Sequence, residues 1–125
     1  MFLSSLNVDS KGDSFFTRVE TTHSGNGPYR EMDVAYWQLW ETQPGHFQDF
    51  KPSDAPRCLA VMSGKLAITS SLGETRHFAR GDTFLLQDVA GKGHAVHTYG
   101  AEPCTVLLIT MKQIMPPSGE EKNGP

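Results

Sequence analysis

The sequence predicts an all-β domain, a sandwich or barrel of roughly eight or more short strands. Three observations predict it. Twelve glycines and eight prolines interrupt a chain of 125 residues, which leaves little room for long helices. The apolar residues fall in short β-branched and aromatic runs such as VAYWQLW and CTVLLITM, with no stripe at helical spacing. Turn-forming residues separate these runs at regular intervals.

Taken in order, residues 3–8 and 14–20 read as strands joined by the turn Ser10-Lys11-Gly12-Asp13, and Ser24-Gly25-Asn26-Gly27-Pro28 reads as a loop. Residues 34–40 are an aromatic strand, and Gln43-Pro44-Gly45 turns the chain into a short strand over 46–50. Two prolines, Pro52 and Pro56, make 51–56 a loop before the apolar strand 57–62. Ser63-Gly64 is a tight turn, and 65–70 (KLAITS) alternates as a half-buried strand does. Ser71-Leu72-Gly73 leads into 74–79, Arg80-Gly81-Asp82 into 83–87, and the Gly-rich loop 88–93 into 94–99. Residues 100–103 turn into 104–111, whose VLLIT run suits a fully buried strand. A helical turn is expected around 111–115. At this length residues 1–115 make one domain with an adequate core. The polar tail from Pro116, PPSGEEKNGP, is expected to be disordered.

Composition excludes several function classes. The net charge is −3 and the pI about 5.9, so no nucleic-acid or anionic-membrane surface is expected. No apolar run approaches the length of a membrane span. The opening MFLSSLNVDSKGD lacks the basic start and apolar core of a signal peptide, so a cytoplasmic location is expected. Cys58 and Cys104 sit in apolar runs and read as free, buried thiols.

Two glycine-framed stretches carry the chemistry. Gly45, Lys51, Ser53, Arg57 and Gly64 keep the spacing G-x5-H-x-H-x3-E-x6-G. Gly81, His94 and Thr98 follow G-x5-P-x-G-x2-H-x3-N, with two extra residues in the middle segment 87–93. The segments Asp49-Phe50-Lys51-Pro52-Ser53-Asp54 and Gly91-Lys92-Gly93-His94 match a layout of small one-domain members. On these residues the chain, from about Leu6 to Met111, resembles the cupin superfamily. The resemblance implies a double-stranded β-helix, or jelly-roll barrel. It also implies a homodimer, for which the strands within the first 32 residues are candidate contacts.

The resemblance further implies a metal held by two His and a Glu of the first motif and a His of the second. Here those positions are Lys51, Ser53, Arg57 and His94. Lys and Arg offer no lone pair at neutral pH, so no metal and no cofactor are expected. A site built from His46, His94 and His97 is conceivable, but strand parity sets His94 against His97.

If Lys51 points inward, alternation brings Asp49, Phe47, Arg57, Leu59 and Val61 inward, with His94, Val96 and Thr98 on the facing strand and Phe84 or Leu86 among the walls. His97 and His77 then face outward. In this set His94 suits a general acid/base, Lys51 and Asp49 its catalytic partners, and Arg57 an anion clamp. Phe47, Leu59, Val96, Thr98 and Tyr36 complete the expected ligand-binding set. Lys51 beside a second cation also suits a Schiff-base nucleophile. Purely structural roles stay open: Lys51 solvated at its loop, Arg57 paired with Asp49 or Asp54, Asp49 in a turn. Gly91-Lys92-Gly93 lacks phosphate-loop spacing and is expected to bend over the pocket mouth. Of Trp37 and Trp40, one is expected in the core and one at a rim.

The residues favour an enzyme that moves protons on a small anionic metabolite without a metal, by isomerisation, dehydration or cyclisation. The alternatives are a binding or sensor module with the same pocket, and a metal-dependent oxygenase with an atypical ligand set. The expected partner is a small, anionic ligand, with no nucleic acid and no membrane.

Overall fold

The computed structural model describes residues 2–20, 25–27, 30–116 and 119–120. Among them there is no helix, and none is long and apolar enough to cross a membrane. The strands are β1 (Phe2–Val8), β2 (Ser14–Glu20), β3 (Val34–Thr42), β4 (Phe47–Lys51), β5 (Arg57–Ser63), β6 (Lys65–Ser70), β7 (Thr75–Ala79), β8 (Thr83–Leu86), β9 (His94–Tyr99), β10 (Cys104–Met111) and β11 (Gly119–Glu120). They form a seven-stranded sheet in the order β11-β2-β1-β8-β5-β10-β3 and a four-stranded sheet in the order β4-β9-β6-β7. The two sheets make the expected jelly roll.

The core lies between the sheets because alternation sends one face of each strand inward. Leu59, Val61, Phe84, Leu86, Val106 and Leu108 from the larger sheet meet Leu66, Ile68 and Phe78 from the smaller one. Phe78 stacks on Phe84 with ring centroids 4.0 Å apart. Leu6 and Phe16 bring β1 and β2 into the same cluster. β1 lies between β2 and β8, and β11 covers the far edge of β2. The N-terminal strands thus use their edges within this chain. Cys58 and Cys104 are free thiols, and burial pushes both upward in pKa.

Three expectations need correction. The helical turn at 111–115 does not form, because its backbone groups are used elsewhere. Met111 N–H donates to Pro56, Lys112 N–H to Asp33, and Met115 exchanges two hydrogen bonds with the buried Gln87 amide. In the tail, residues 119–120 pair with β2 as β11, while 117–118 and 121–125 lie outside the described residues. The loop expected at 24–28 is described only at 25–27. Neither tryptophan is in the core. β3 has a neighbour, β10, on one side only, and the smaller sheet does not close over it. Trp37 is therefore 63% exposed on the outer face and Trp40 49% exposed on the inner one.

Phe84 is 1% exposed and joins the two sheets through its stack on Phe78. Phe84→Ala is expected to cost about 3–5 kcal/mol in urea unfolding. A loss under about 1 kcal/mol would contradict the packing described.

Candidate functional site

Two loops at one end of the barrel bring the polar groups together. The loop 52–56 joins the end of β4 to the start of β5, so its flanking residues, Lys51 and Arg57, stand at the same end. The loop 87–93 joins β8 to β9 at that end and carries Asp88, with His94 directly after it. The loops are stitched together by the backbone: Ser53 N–H donates to the Asp88 carbonyl over 2.9 Å. Gly93 has φ of 75° and lies so close to the Lys51–Pro52 backbone that a Cβ there would run into it. The two residues by which this loop exceeds the motif do not cover the pocket mouth. Gly91 packs on Gly12, Lys92 N–H donates to Gly12 and the Lys92 ammonium pairs with Asp13 over 2.8 Å, so the loop docks on the β1–β2 turn. That corrects the lid expected from Gly91-Lys92-Gly93.

The central contact is between His94 and Asp88. The His94 Nδ1 lies 2.6 Å from Asp88 Oδ2, with the histidine 3% and the aspartate 0% exposed. Burial pushes the Asp88 carboxyl above its ordinary value, and the contact with His94 opposes that shift. Asp88 Oδ1 has no hydrogen-bond partner among the described residues. With Asp88 ionised, Nδ1–H donates to it, and Nε2 is the nitrogen left for the cavity that His94 lines. Such a pair can accept a proton at Nε2 while the carboxylate fixes the ring and stabilises the imidazolium.

The cavity is about 240 Å³, just under the usual range for small-molecule sites, which starts at about 300 Å³. Its polar lining includes Lys51, Ser53, Asp54, Arg57, His94, His46 and Gln48. Its walls are Leu59, Leu66, Ile68, Leu86, Val96, Val106, Leu108, Cys104 and Trp40, with Thr42 and Thr98 bonded to each other over 2.6 Å. Of the residues expected from sequence, Lys51, Arg57, Leu59, His94, Val96, Thr98 and Leu86 line it. Val61 and Phe84 point inward but pack into the core. Tyr36, on the inner face of β3, hydrogen-bonds Thr110 and Arg57, which pulls its phenol below the ordinary value.

Phe47 and Asp49 are not in the cavity, because β4 carries a bulge. Gln48 faces Val96 and Lys51 faces His94, so β4 spends one residue more than β9 over that interval. The extra residue reverses the parity: His46 and Gln48 face inward, and Phe47 and Asp49 outward. Phe47 is 58% exposed against His97, and the Asp49 carboxylate accepts the Phe50 N–H. Arg57 pairs with neither Asp49 nor Asp54; its Nε donates to the Thr110 hydroxyl over 3.4 Å. His97 and His77 are exposed and cluster around Tyr99. Asp88 escaped the sequence reading because an Asp opening a Gly-rich loop looks like a turn residue.

The donor set does not fit the metal of the implied family. Ser53 uses its hydroxyl on the Ala55 carbonyl, Lys51 and Arg57 are cations, and one nitrogen of His94 is taken by Asp88. Among the described residues no three His, Cys, Asp or Glu side chains converge as a ligand group.

The buried carboxyl makes a stability prediction. Below the ordinary value of 3.8 Asp88 is protonated in both states. As pH rises, the unfolded chain ionises first, so unfolding releases a proton and stability falls until the raised folded-state value is passed. Wild type is therefore expected to lose stability relative to Asp88→Asn as pH rises above about 4, by up to about 1.4 kcal/mol per pH unit. A constant difference in urea unfolding as pH rises would contradict the burial.

A family model, the EutQ-like cupin domain, matches residues 30–107. A comparison with curated proteins gives no match. Among solved structures, the conserved SPY1581 protein of unknown function from Streptococcus pyogenes is similar at a TM-score of 0.50 and 24% identity, over 69% of this chain and 70% of that one. The polyketide cyclase RemF from Streptomyces resistomycificus is similar at 0.53 and 14%, over 86% of this chain and 70% of that one. A sugar phosphate isomerase from a cupin superfamily, from Silicibacter pomeroyi, is similar at 0.50 and 18%, over 62% of this chain and 50% of that one. At these identities the likeness concerns the fold. With more than half of its length matched by the family model, and with the jelly roll in place, the chain belongs to the EutQ-like cupin domain family.

Proposed function

We propose that the protein binds a small anionic metabolite in the barrel and moves a proton on it, with His94 as the acid/base. The observation that carries this reading is one convergence. Lys51 and Arg57, neither paired with a carboxylate among the described residues, stand with the Asp88–His94 pair at one end of a mainly apolar cavity. The cations hold the anionic group and stabilise negative charge that develops as a proton leaves. His94 Nε2 takes that proton from a carbon next to a carbonyl and returns it elsewhere. The C–H electrons pass into the enolate, and Asp88 keeps the imidazole oriented. The supporting carboxylate is thus Asp88 in place of Asp49. Isomerisation, dehydration and cyclisation all use this step. The neighbours named as a sugar phosphate isomerase and a polyketide cyclase indicate what the fold can host; the reading rests on the residues.

The test uses 2-oxobutanoate in heavy water, with exchange of its C3 protons followed by NMR. Wild type is expected to catalyse exchange, and His94→Gln to slow it by roughly 100-fold or more. Exchange at the wild-type rate in His94→Gln would remove the histidine from the mechanism.

We also propose that a second copy of the chain covers the outer face of β3, β10 and β5. Trp37, Leu39 and Met62 are each more than half exposed there. Leu39 lies beside Leu107, which lies beside Ala60, and Trp37 lies beside Ile109. In a dimer this apolar face would meet the same face of its copy about a two-fold axis, where a standard interface buries about 800 Å² on each side. Light scattering is expected to give a dimer for wild type and a monomer for Leu39→Glu. A wild-type monomer at micromolar concentration would contradict this assembly.

A further inference from the structure

We infer that the ligand is a short monocarboxylic acid with an apolar body, its head between Lys51 and Arg57 and its body along the barrel, and that polyhydroxylated phosphates are excluded. The inference rests on the proposed anion-binding reading and adds a substrate class to it.

The layers of the pocket carry the argument. The strand registers put Lys51 beside His94, and Arg57 beside Leu86 and Thr110, in one end layer. The next layer holds Gln48, Val96 and Ile68 on one sheet and Leu59 and Leu108 on the other. The one beyond holds Leu66, Thr98 and Val106. The two cations therefore stand at one end, with Gln48 the polar group of the middle layer and His46, Thr42 and Thr98 those of the far layer.

The head layer suits one negative charge better than two. Lys51, Arg57 and the Asp54 carboxylate leave a net charge of +1 at the cavity, which one carboxylate neutralises and a dianion overshoots. Arg57 still has guanidinium N–H groups beyond those engaged by Thr110 and Tyr36, and these match a planar carboxylate.

The body layers reject a polyol. Apart from those that reach His46 or Gln48, the hydroxyls of a sugar chain would leave water to face Val96, Ile68, Leu59 or Leu108 without a partner. The threonines at the far end, Thr42 and Thr98, are bonded to each other. His46 and Gln48 lie only along β4 and serve a single side of the ligand. An alkyl or aryl body meets the same walls without penalty. The layer shared by Lys51 and His94 further puts the exchangeable proton close to the head, at the carbon beside the 2-oxo group of a 2-oxo acid.

Calorimetric titration of the full chain with 2-oxobutanoate, 2-oxohexanoate, 1-hexanol and glucose 6-phosphate tests this. Two added methylenes are expected to tighten binding roughly tenfold from 2-oxobutanoate to 2-oxohexanoate. Hexanol and glucose 6-phosphate are expected to bind at least about tenfold more weakly than 2-oxohexanoate. Arg57→Gln is expected to weaken 2-oxohexanoate binding by about tenfold or more with an unchanged unfolding midpoint. Val96→Thr, nearly isosteric, is expected to weaken it several-fold. Equal affinity for the two chain lengths, glucose 6-phosphate binding as tightly as 2-oxohexanoate, or no binding of either acid at millimolar concentration would each overturn the inference. Proton exchange is read by NMR on the same samples. Chain-length-dependent binding without exchange therefore supports the substrate class while removing the proton-transfer reading.

Discussion

The 2.6 Å contact between His94 and Asp88 is the interaction on which the polar end of the barrel depends. A carboxyl that is fully out of water is expensive to ionise, and the imidazole is the group that offsets this cost. The same residue also does a second job. Its carbonyl accepts the Ser53 N–H, so the residue that orients His94 also holds the loop whose two ends carry Lys51 and Arg57. His94 and the two cations are therefore positioned by one buried anchor. The contact of Gly93 with the Lys51–Pro52 backbone tightens the same joint, and the Lys92–Asp13 pair holds the loop from its far side.

Much of this was legible in the sequence, and the rest was hidden for identifiable reasons. Glycine spacing placed Lys51, Arg57, Leu59, His94, Val96 and Thr98 in one barrel, and all six line its cavity. Spacing works there because turns fix where each strand enters and leaves the sheet. Within β4 it failed, since one bulged residue reverses every side chain before it. No glycine or proline marks the bulge at Asp49-Phe50, so simple alternation from Lys51 puts Phe47 and Asp49 inward. Asp88 was hidden differently. Its burial arises from the packing of loop 87–93 against the β1–β2 turn, Gly91 on Gly12, far away in sequence. Local composition there reports only a turn.

The frame and its contents argue separately about chemistry. A barrel end with inward positions on two strands is what the fold supplies; what stands at those positions decides the reaction type. Histidines and a glutamate there would present lone pairs to a cation. Lys51 and Arg57 reverse the sign of the site and offer positive charge in place of lone pairs. Cations set among leucine, isoleucine and valine act in a medium less screening than water, so in the proposed reaction they would stabilise an enolate more strongly than the same groups on an open surface. They also gain from staying unpaired until a ligand arrives. An internal carboxylate partner would cancel the field the site needs, and the one candidate on β4, Asp49, is turned outward by the bulge. The same irregularity that defeats strand parity thus turns Asp49 away from the two cations and leaves Asp88 as the carboxylate bonded to His94.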